Sequence, residues 1–205
     1  MKRSRNRWAD HYTRQAKKEN FAARSVYKLD EIQKKHGLIK KGDRVLDLGC
    51  APGSWLQFAA GQTGPSGRVV GLDLKAVTIP LPGHVQTHIA DIYHLDPELA
   101  ETLSAGFQVV LSDMAPSTTG NKYVDGVRSY DLCRAALETA DRLLLPGGRF
   151  VCKIFQGEDF KSFCDAVKLR FERMQIFKPQ SSRKASREIF IIGIGKKQED
   201  NHVRS

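Results

Sequence analysis

Lys153 sits inside Phe150-Val151-Cys152-Lys153-Ile154-Phe155, an apolar run where an ammonium group is costly unless it is paired or used. Asp113 closes a second apolar run, Phe107 to Ser112, and Glu188 opens a third, Glu188-Ile189-Phe190-Ile191-Ile192. A lysine held against a carboxylate at strand ends admits two readings. One is an ion pair that merely closes the sheet. The other is a general base, because burial and like charge disfavour the ammonium and free some amine for proton abstraction.

A second cluster of chemistry lies in Val45 to Trp55, where the apolar Val45, Leu46 and Leu48 run into a turn bearing Gly49 and Gly53. That is a buried strand, a turn where a ligand can approach the backbone, and a helix starting near Ser54. The dinucleotide fingerprint G-x-G-x-x-G calls for a middle glycine, but here Ala51 and the donor-less Pro52 stand there. A diphosphate is therefore disfavoured. Asp73 ends Arg68-Val69-Val70-Gly71-Leu72-Asp73 twenty residues past Gly53, placed to accept hydrogen bonds from ribose hydroxyls. Asp91, after the neighbouring run Thr87-His88-Ile89-Ala90, reaches an adenine amino group or else caps a local turn. A nucleoside without phosphates fits, and S-adenosylmethionine is the common one; an ordinary tight turn with a surface aspartate is the plainer alternative.

These residues must be positioned by alternating elements. Hydrophobic runs predict strands over 44–48, 68–72, 85–89, 107–112, 149–155, 171–177 and 188–195, with helices over 24–36, 54–61, 97–104, 126–145 and 158–170. Pro146-Gly147-Gly148 stops the fourth of these helices. Such alternation implies an α/β, Rossmann-like, doubly wound and mostly parallel sheet with helices on both faces and ligands at the strand carboxyl ends. The loop Lys178 to Arg187 is too short for a packed crossover helix, so the last two strands form an antiparallel hairpin at one edge. A length of 205 residues suits one domain, with a basic N-terminal arm over 1–22 and a disordered tail over 198–205.

The four cysteines, Cys50, Cys133, Cys152 and Cys164, show no C-x-x-C pairing, which favours a reducing compartment and argues against zinc. No metal is expected. With no span-length apolar stretch and no signal-type h-region, the expectation is a cytoplasmic protein, with a monomer as the default.

Charge is unevenly placed. Residues 1–41 carry 13 Lys/Arg against 4 Asp/Glu, residues 42–160 carry 9 against 14, and residues 161–197 carry 10 against 3. Two basic flanks around a mildly acidic centre make a phosphodiester-binding face if they meet, or solvated helix faces if they do not. Lys2, Arg3, Arg5 and Arg7 in the arm, and Arg24, Arg183, Lys184 and Arg187, are the candidate backbone contacts. Trp8, Tyr12, Phe21 and Tyr27 lie among these charges and can stack on bases, although Tyr27 equally suits a core.

Taken together, five blocks in order resemble the FtsJ family of RNA 2'-O-ribose methyltransferases: Ala23 to Ile32, Asp47 to Trp55, Ser112 to Pro116, Lys153 to Gly157, and Lys178 to Arg183 with Ser186-Arg187-Glu188. The resemblance runs from about Tyr12 to Lys197. It implies an S-adenosylmethionine-dependent methyltransferase fold with a seven-stranded sheet, and a Lys-Asp-Lys-Glu tetrad at Lys28, Asp113, Lys153 and Glu188. It further implies donor contacts from Gly53, Trp55, Asp73, Asp91 and Asp113. The acceptor it implies is a uridine 2'-hydroxyl of 23S ribosomal RNA, in the aminoacyl-tRNA-binding loop of the large ribosomal subunit. Cys50 and Ser54 stand where relatives often have Ala and Gly, and Ser117 to Gly120 departs from the usual loop after Asp113.

Overall fold

Strands β1 (Arg44–Leu48), β2 (Arg68–Asp73), β4 (Phe107–Ser112) and β5 (Leu144–Phe155) form because their apolar side chains point to both faces of a covered sheet, and β3 (Val85–Ile89), more polar and exposed, pairs along the edge with β2. The computed structural model describes residues 7–183 and 185–198, with side chains from residue 11 onward. Lys2, Arg3, Arg5, Lys184 and the tail residues 199–205 lie outside the described residues, as do the side chains of Arg7 and Trp8.

The sheet has seven strands in the order β3-β2-β1-β4-β5-β7-β6, with β6 at Phe171–Phe177 and β7 at Glu188–Lys196. The first five run parallel, and β7 is antiparallel to both β5 and β6. The expected antiparallel pair is present. Its refinement is that β7 inserts between β5 and β6, leaving β6 at the edge. Insertion sets Lys153 opposite Phe190 and Phe155 opposite Glu188, so two strands distant in sequence present their polar ends together.

Alternate residues feed two cores. One face joins Val45, Val69, Leu111, Val151 and Phe190 to α2 (Val26–His36) and α3 (Ser54–Thr63) through Leu29, Ile32, Trp55 and Leu56. The other joins Leu46, Val70, Val110, Phe150 and Ile191 to α4 (Pro97–Leu103), α5 (Lys122–Leu143) and α6 (Phe160–Arg170) through Leu103, Ala136, Leu137, Phe163 and Val167. Gly193 of β7 lies where an added methyl would meet the Phe171 ring at 2.7 Å. Gly193→Ala is expected to destabilise the fold by about 1–3 kcal/mol through overpacking, read as a lowered urea midpoint.

Several boundaries move. The arm contains a helix, α1 (Arg7–Lys18), whose Ala16 is buried beside Tyr27. Tyr12 and Tyr27 rings lie 5.4 Å apart, so Tyr27 belongs to the core. The chain between α1 and α2 is tied to α3 by Gln57, which accepts from the Ala22 amide at 2.9 Å and donates to Asn20 carbonyl oxygen at 3.1 Å. Helix α5 starts at Lys122 instead of 126, because the Asn121 side chain caps the amides of Tyr123 and Val124 at 3.0 and 3.3 Å. It ends at Leu143, and β5 begins at Leu144 instead of 149 because Leu144 pairs with Phe107; Pro146-Gly147-Gly148 falls within the strand span at the shift in register. Among the described residues no helix is long and apolar enough to cross a membrane.

Candidate active site

The order of strands reverses between β1 and β4, so the helices leave from opposite sides there and open a crevice at the carboxyl ends. The turn after β1 forms one wall. Gly49 and Gly53 adopt φ of +75° and +112°, a left-handed region that a side chain rarely enters. Asp73 at the end of β2 clamps this turn: its carboxylate accepts from the Ala51 amide at 2.9 Å and from the Lys75 amide at 2.8 Å.

A cavity of about 290 Å3 extends from this turn and is lined by Gly49, Ala51, Asp73, Asp91, Asp113 and Met114 among others. Among the described residues, three aspartates and no basic residue line it. Such a wall repels phosphate groups and favours a cation, which fits the sulfonium and ammonium charges of S-adenosylmethionine. Asp73 ends β2, and Asp91 follows the end of the neighbouring β3 by two residues. Asp91 also accepts from the Tyr93 amide at 3.0 Å, so it shapes its own turn as well as the cavity wall. Trp55 is buried in the first turn of α3, its indole N–H donating to the Ser25 carbonyl oxygen at 2.9 Å and its ring 5.9 Å from that of Phe190. It joins α2 to the sheet and, like Gly53, does not line the cavity, and the Ser25 and Ser54 hydroxyls meet at 2.9 Å in the same seam.

Asp113 is the wall shared with the second cluster. Lys153 Nζ lies 2.8 Å from Asp113 Oδ1 and also donates to the Asp113 carbonyl oxygen. Lys28 Nζ, from α2, lies 3.8 Å from the same carboxylate oxygen and is ion-paired with Glu188. The lysine, aspartate, lysine and glutamate called from four separate segments thus form one continuous chain of charges. Lys28 also sits 5.8 Å from the Phe190 ring centroid, over the residue that pairs with Lys153. The side chain of Lys153 is 8% exposed and those of Lys28, Asp113 and Glu188 are 15–16% exposed, so the cluster is half-shielded and open at one side.

Asp47 was not singled out by its position in the strand. It is fully buried, neither carboxylate oxygen has a hydrogen-bond partner among the described residues, and burial first, then Asp113 and Asp73, push its pKa well above the usual carboxylate range. A carboxyl with a raised folded pKa binds more protons folded than unfolded, so it withdraws stability as pH rises above the unfolded value. Asp47→Asn is expected to remove this fall, which reaches about 1.4 kcal/mol per pH unit. Thermal melts of both chains between about pH 5 and pH 8 check it, and parallel curves would refute it.

The candidate RNA contacts divide. Arg24 and Arg183 meet at a smaller cavity of about 230 Å3 that also touches Lys28 and Glu188. Arg187 points to the other face of β5, donating to the Lys122 carbonyl oxygen at 3.0 Å and to that of Gln156. There it lines a third cavity of about 250 Å3 with Tyr123, Tyr130 and Phe160. Glu31, which no sequence motif marks, leaves α2 to accept from the amides of Gln180 and Ser181 at 2.6 and 2.8 Å, fixing the loop between β6 and β7. No spacing rule signals a contact so distant along the chain. The four cysteines are free and buried.

A parallel sheet carrying an inserted antiparallel strand, with a glycine turn after β1 and an acidic nucleoside-sized cavity, is the Rossmann-like methyltransferase fold. The model of the FtsJ-like methyltransferases matches residues 21–196, and the chain belongs to that family. It is 58% identical over 196 residues to ribosomal RNA large subunit methyltransferase E of Desulforapulum autotrophicum, covering 96% of this chain and 97% of that protein. The same-named protein of Desulfosudis oleivorans is 55% identical, with 96% and 94% covered. A crystal structure described as a ribosomal RNA methyltransferase from Plasmodium falciparum superposes with a TM-score of 0.73 at 27% identity, covering 86% of this chain and 98% of that one.

Proposed function

We propose that this protein transfers a methyl group from S-adenosylmethionine to the 2'-hydroxyl of a uridine in 23S ribosomal RNA, in the aminoacyl-tRNA-binding loop of the assembled large subunit, acting as a cytoplasmic monomer. The observation that carries this reading is that Asp113 belongs at once to the acidic donor cavity and to the lysine–carboxylate cluster. Donor and acceptor sites therefore share one side chain. The substrate class is supported by the relatives named for large-subunit ribosomal RNA and by the basic flanks.

S-adenosylmethionine supplies an already electrophilic methyl group when bound, so what remains for the protein is alignment and removal of one proton. Asp73, Asp91 and Asp113 would hold the donor, with Gly49 giving backbone access. Lys153, next to the donor cavity, would take the proton from the ribose 2'-oxygen while Asp113 orients its amine. Lys28, drawn to Glu188, would orient the target ribose.

The test is incorporation of label from methyl-labelled S-adenosylmethionine into large subunits purified from cells lacking this protein, followed by mapping of 2'-O-methyl positions. One labelled uridine ribose in 23S RNA is expected. Absence of RNA label, or label on a base, would overturn the reading.

A further inference from the structure

The cavity between α2 and the β6–β7 loop has a composition that the proton-transfer chemistry does not use. Ser181 and Ser182 line it at 6% and 5% exposure, and among the described residues neither hydroxyl has a hydrogen-bond partner. A buried hydroxyl without a partner costs about 1–3 kcal/mol, so two side by side point to a missing acceptor. The same walls bring Arg24 and Arg183 together, close enough that, after burial, the charge of Arg183 is the main influence disfavouring the Arg24 cation. Two guanidinium groups and two donor hydroxyls converging on about 230 Å3 would be poor design for an uncharged occupant.

The loop is built to hold this geometry. Glu31 fixes the amides of Gln180 and Ser181, the Ser182 amide donates to the Pro179 carbonyl oxygen at 3.1 Å, and Lys178 donates to the Ser186 carbonyl oxygen at 2.9 Å. The backbone donors of Ser181 and Ser182 are thus spoken for, while their hydroxyls are left to the cavity. Lys28 and Glu188 form the wall shared with the tetrad. An anion in this cavity would lie beside Lys28 and Glu188 of the tetrad, and in RNA the phosphate vicinal to a 2'-oxygen is the one on the 3'-oxygen.

We propose that Ser181, Ser182, Arg24 and Arg183 form a binding site for the 3'-phosphodiester of the target nucleotide, which sets its 2'-hydroxyl against the tetrad. The proposal rests on the ribose-methylation reading and adds a specific subsite to it. It also separates two roles among the basic residues. Arg24 and Arg183 place the reacting nucleotide, whereas Arg187 is engaged with two carbonyl oxygens on the other side of β5.

The binding test uses the full chain, isotope-labelled for amide NMR and titrated with uridine 3'-monophosphate, uridine 5'-monophosphate and uridine. The 3'-phosphate is expected to shift the Ser181 and Ser182 amides and to bind more tightly than the other two. In the double variant Ser181→Ala with Ser182→Ala its affinity is expected to fall about 10- to 100-fold, with S-adenosylmethionine affinity unchanged. Equal binding of uridine without a phosphate, or an unaltered affinity in the double variant, would overturn the site. The kinetic test uses large subunits. The double variant is expected to raise KM about 10- to 100-fold at nearly constant kcat, with no change in salt slope because a hydroxyl carries no charge. Arg183→Gln should raise KM and lower that slope by about 1, giving a second readout if the double variant folds poorly. An unchanged KM in both would refute the proposal. Failure of wild-type protein to label RNA would instead remove the methylation reading, and the nucleotide titration still decides the phosphate site.

Discussion

Lys153→Ala is expected to lower the rate of methyl transfer to large-subunit RNA by about 10² to 10⁴, the range that a positioned base contributes. That loss corresponds to about 3–5 kcal/mol of barrier. The reason is the geometry at Asp113. Lys153 is the cation nearest that carboxylate, at 2.8 Å, while Lys28 stands at 3.8 Å and is held by Glu188. When Lys153 is removed, no amine among the described residues remains at hydrogen-bond distance from Asp113 to take up the proton. Donor affinity should move in the opposite sense or not at all. Lys153 does not line the acidic cavity, and loss of its charge leaves Asp113 more negative toward a sulfonium. Single-turnover label transfer and calorimetric titration with S-adenosylmethionine separate the two effects. Lys153→Met keeps most of the side-chain volume, so a shared loss of activity in both variants excludes a packing defect. Normal turnover in either would remove Lys153 from the role of base, and lost donor affinity would reassign it to holding the cavity.

How much of this was readable from the chain differs by element. Strands β1 and β4 match their expected limits because each is a short, largely apolar run bounded by polar residues or glycine, and β3 matches although Gln86, Thr87 and His88 make it polar. The glycine turn after β1 was legible too, since Gly49 and Gly53 take the left-handed conformations that a tight turn demands and Asp73 closes the next strand. The tetrad was only partly so. Lys153 and Asp113 stand out as charges on buried strands, but Lys28 lies on a helix where Val26, Leu29 and Ile32 fill the core face, and there a lysine reads as solvated. It is placed by α2 packing on the sheet and by Glu188 arriving from β7. That arrival depends on β7 inserting between β5 and β6, a choice of neighbour that hydrophobic periodicity does not encode. Helix α1 was hidden for a related reason. Its charged face dominates the composition, and its apolar contact is supplied by Tyr27 from another element. The cavity lined by Ser181, Ser182, Arg24 and Arg183 was least visible, because serines in a loop signal a turn until tertiary structure buries their hydroxyls.

Gly49→Ala is expected to weaken S-adenosylmethionine binding about 10- to 100-fold while leaving most of the fold intact, through the two costs that a methyl group meets there. The first is conformational. Gly49 has φ of +75°, and a side chain in the left-handed region costs about 1–2 kcal/mol. The second is steric. The added carbon would stand 2.4 Å from Met114 Cγ and 3.4 Å from Met114 Cα, so the methionine side chain must move and the backbone behind it leaves little room. Gly49 and Met114 are direct neighbours in the wall of the acidic cavity, with Asp113 next to Met114 in the chain. Relief of the clash therefore either narrows the cavity or shifts the carboxylate that both sites share. These outcomes differ in what they do to catalysis. If the cavity alone narrows, the donor KM rises and kcat at saturating donor stays near wild type. If Asp113 shifts, kcat falls as well, because its contacts with Lys153 and Lys28 are disturbed. Donor titration with thermal melting comes first: a large loss of affinity with only a modest fall in Tm is the expected pattern, and wild-type affinity would show that the turn after β1 does not contact the donor. Steady-state kinetics at saturating S-adenosylmethionine then decides how tightly the donor cavity and the proton-transfer cluster are coupled through Asp113.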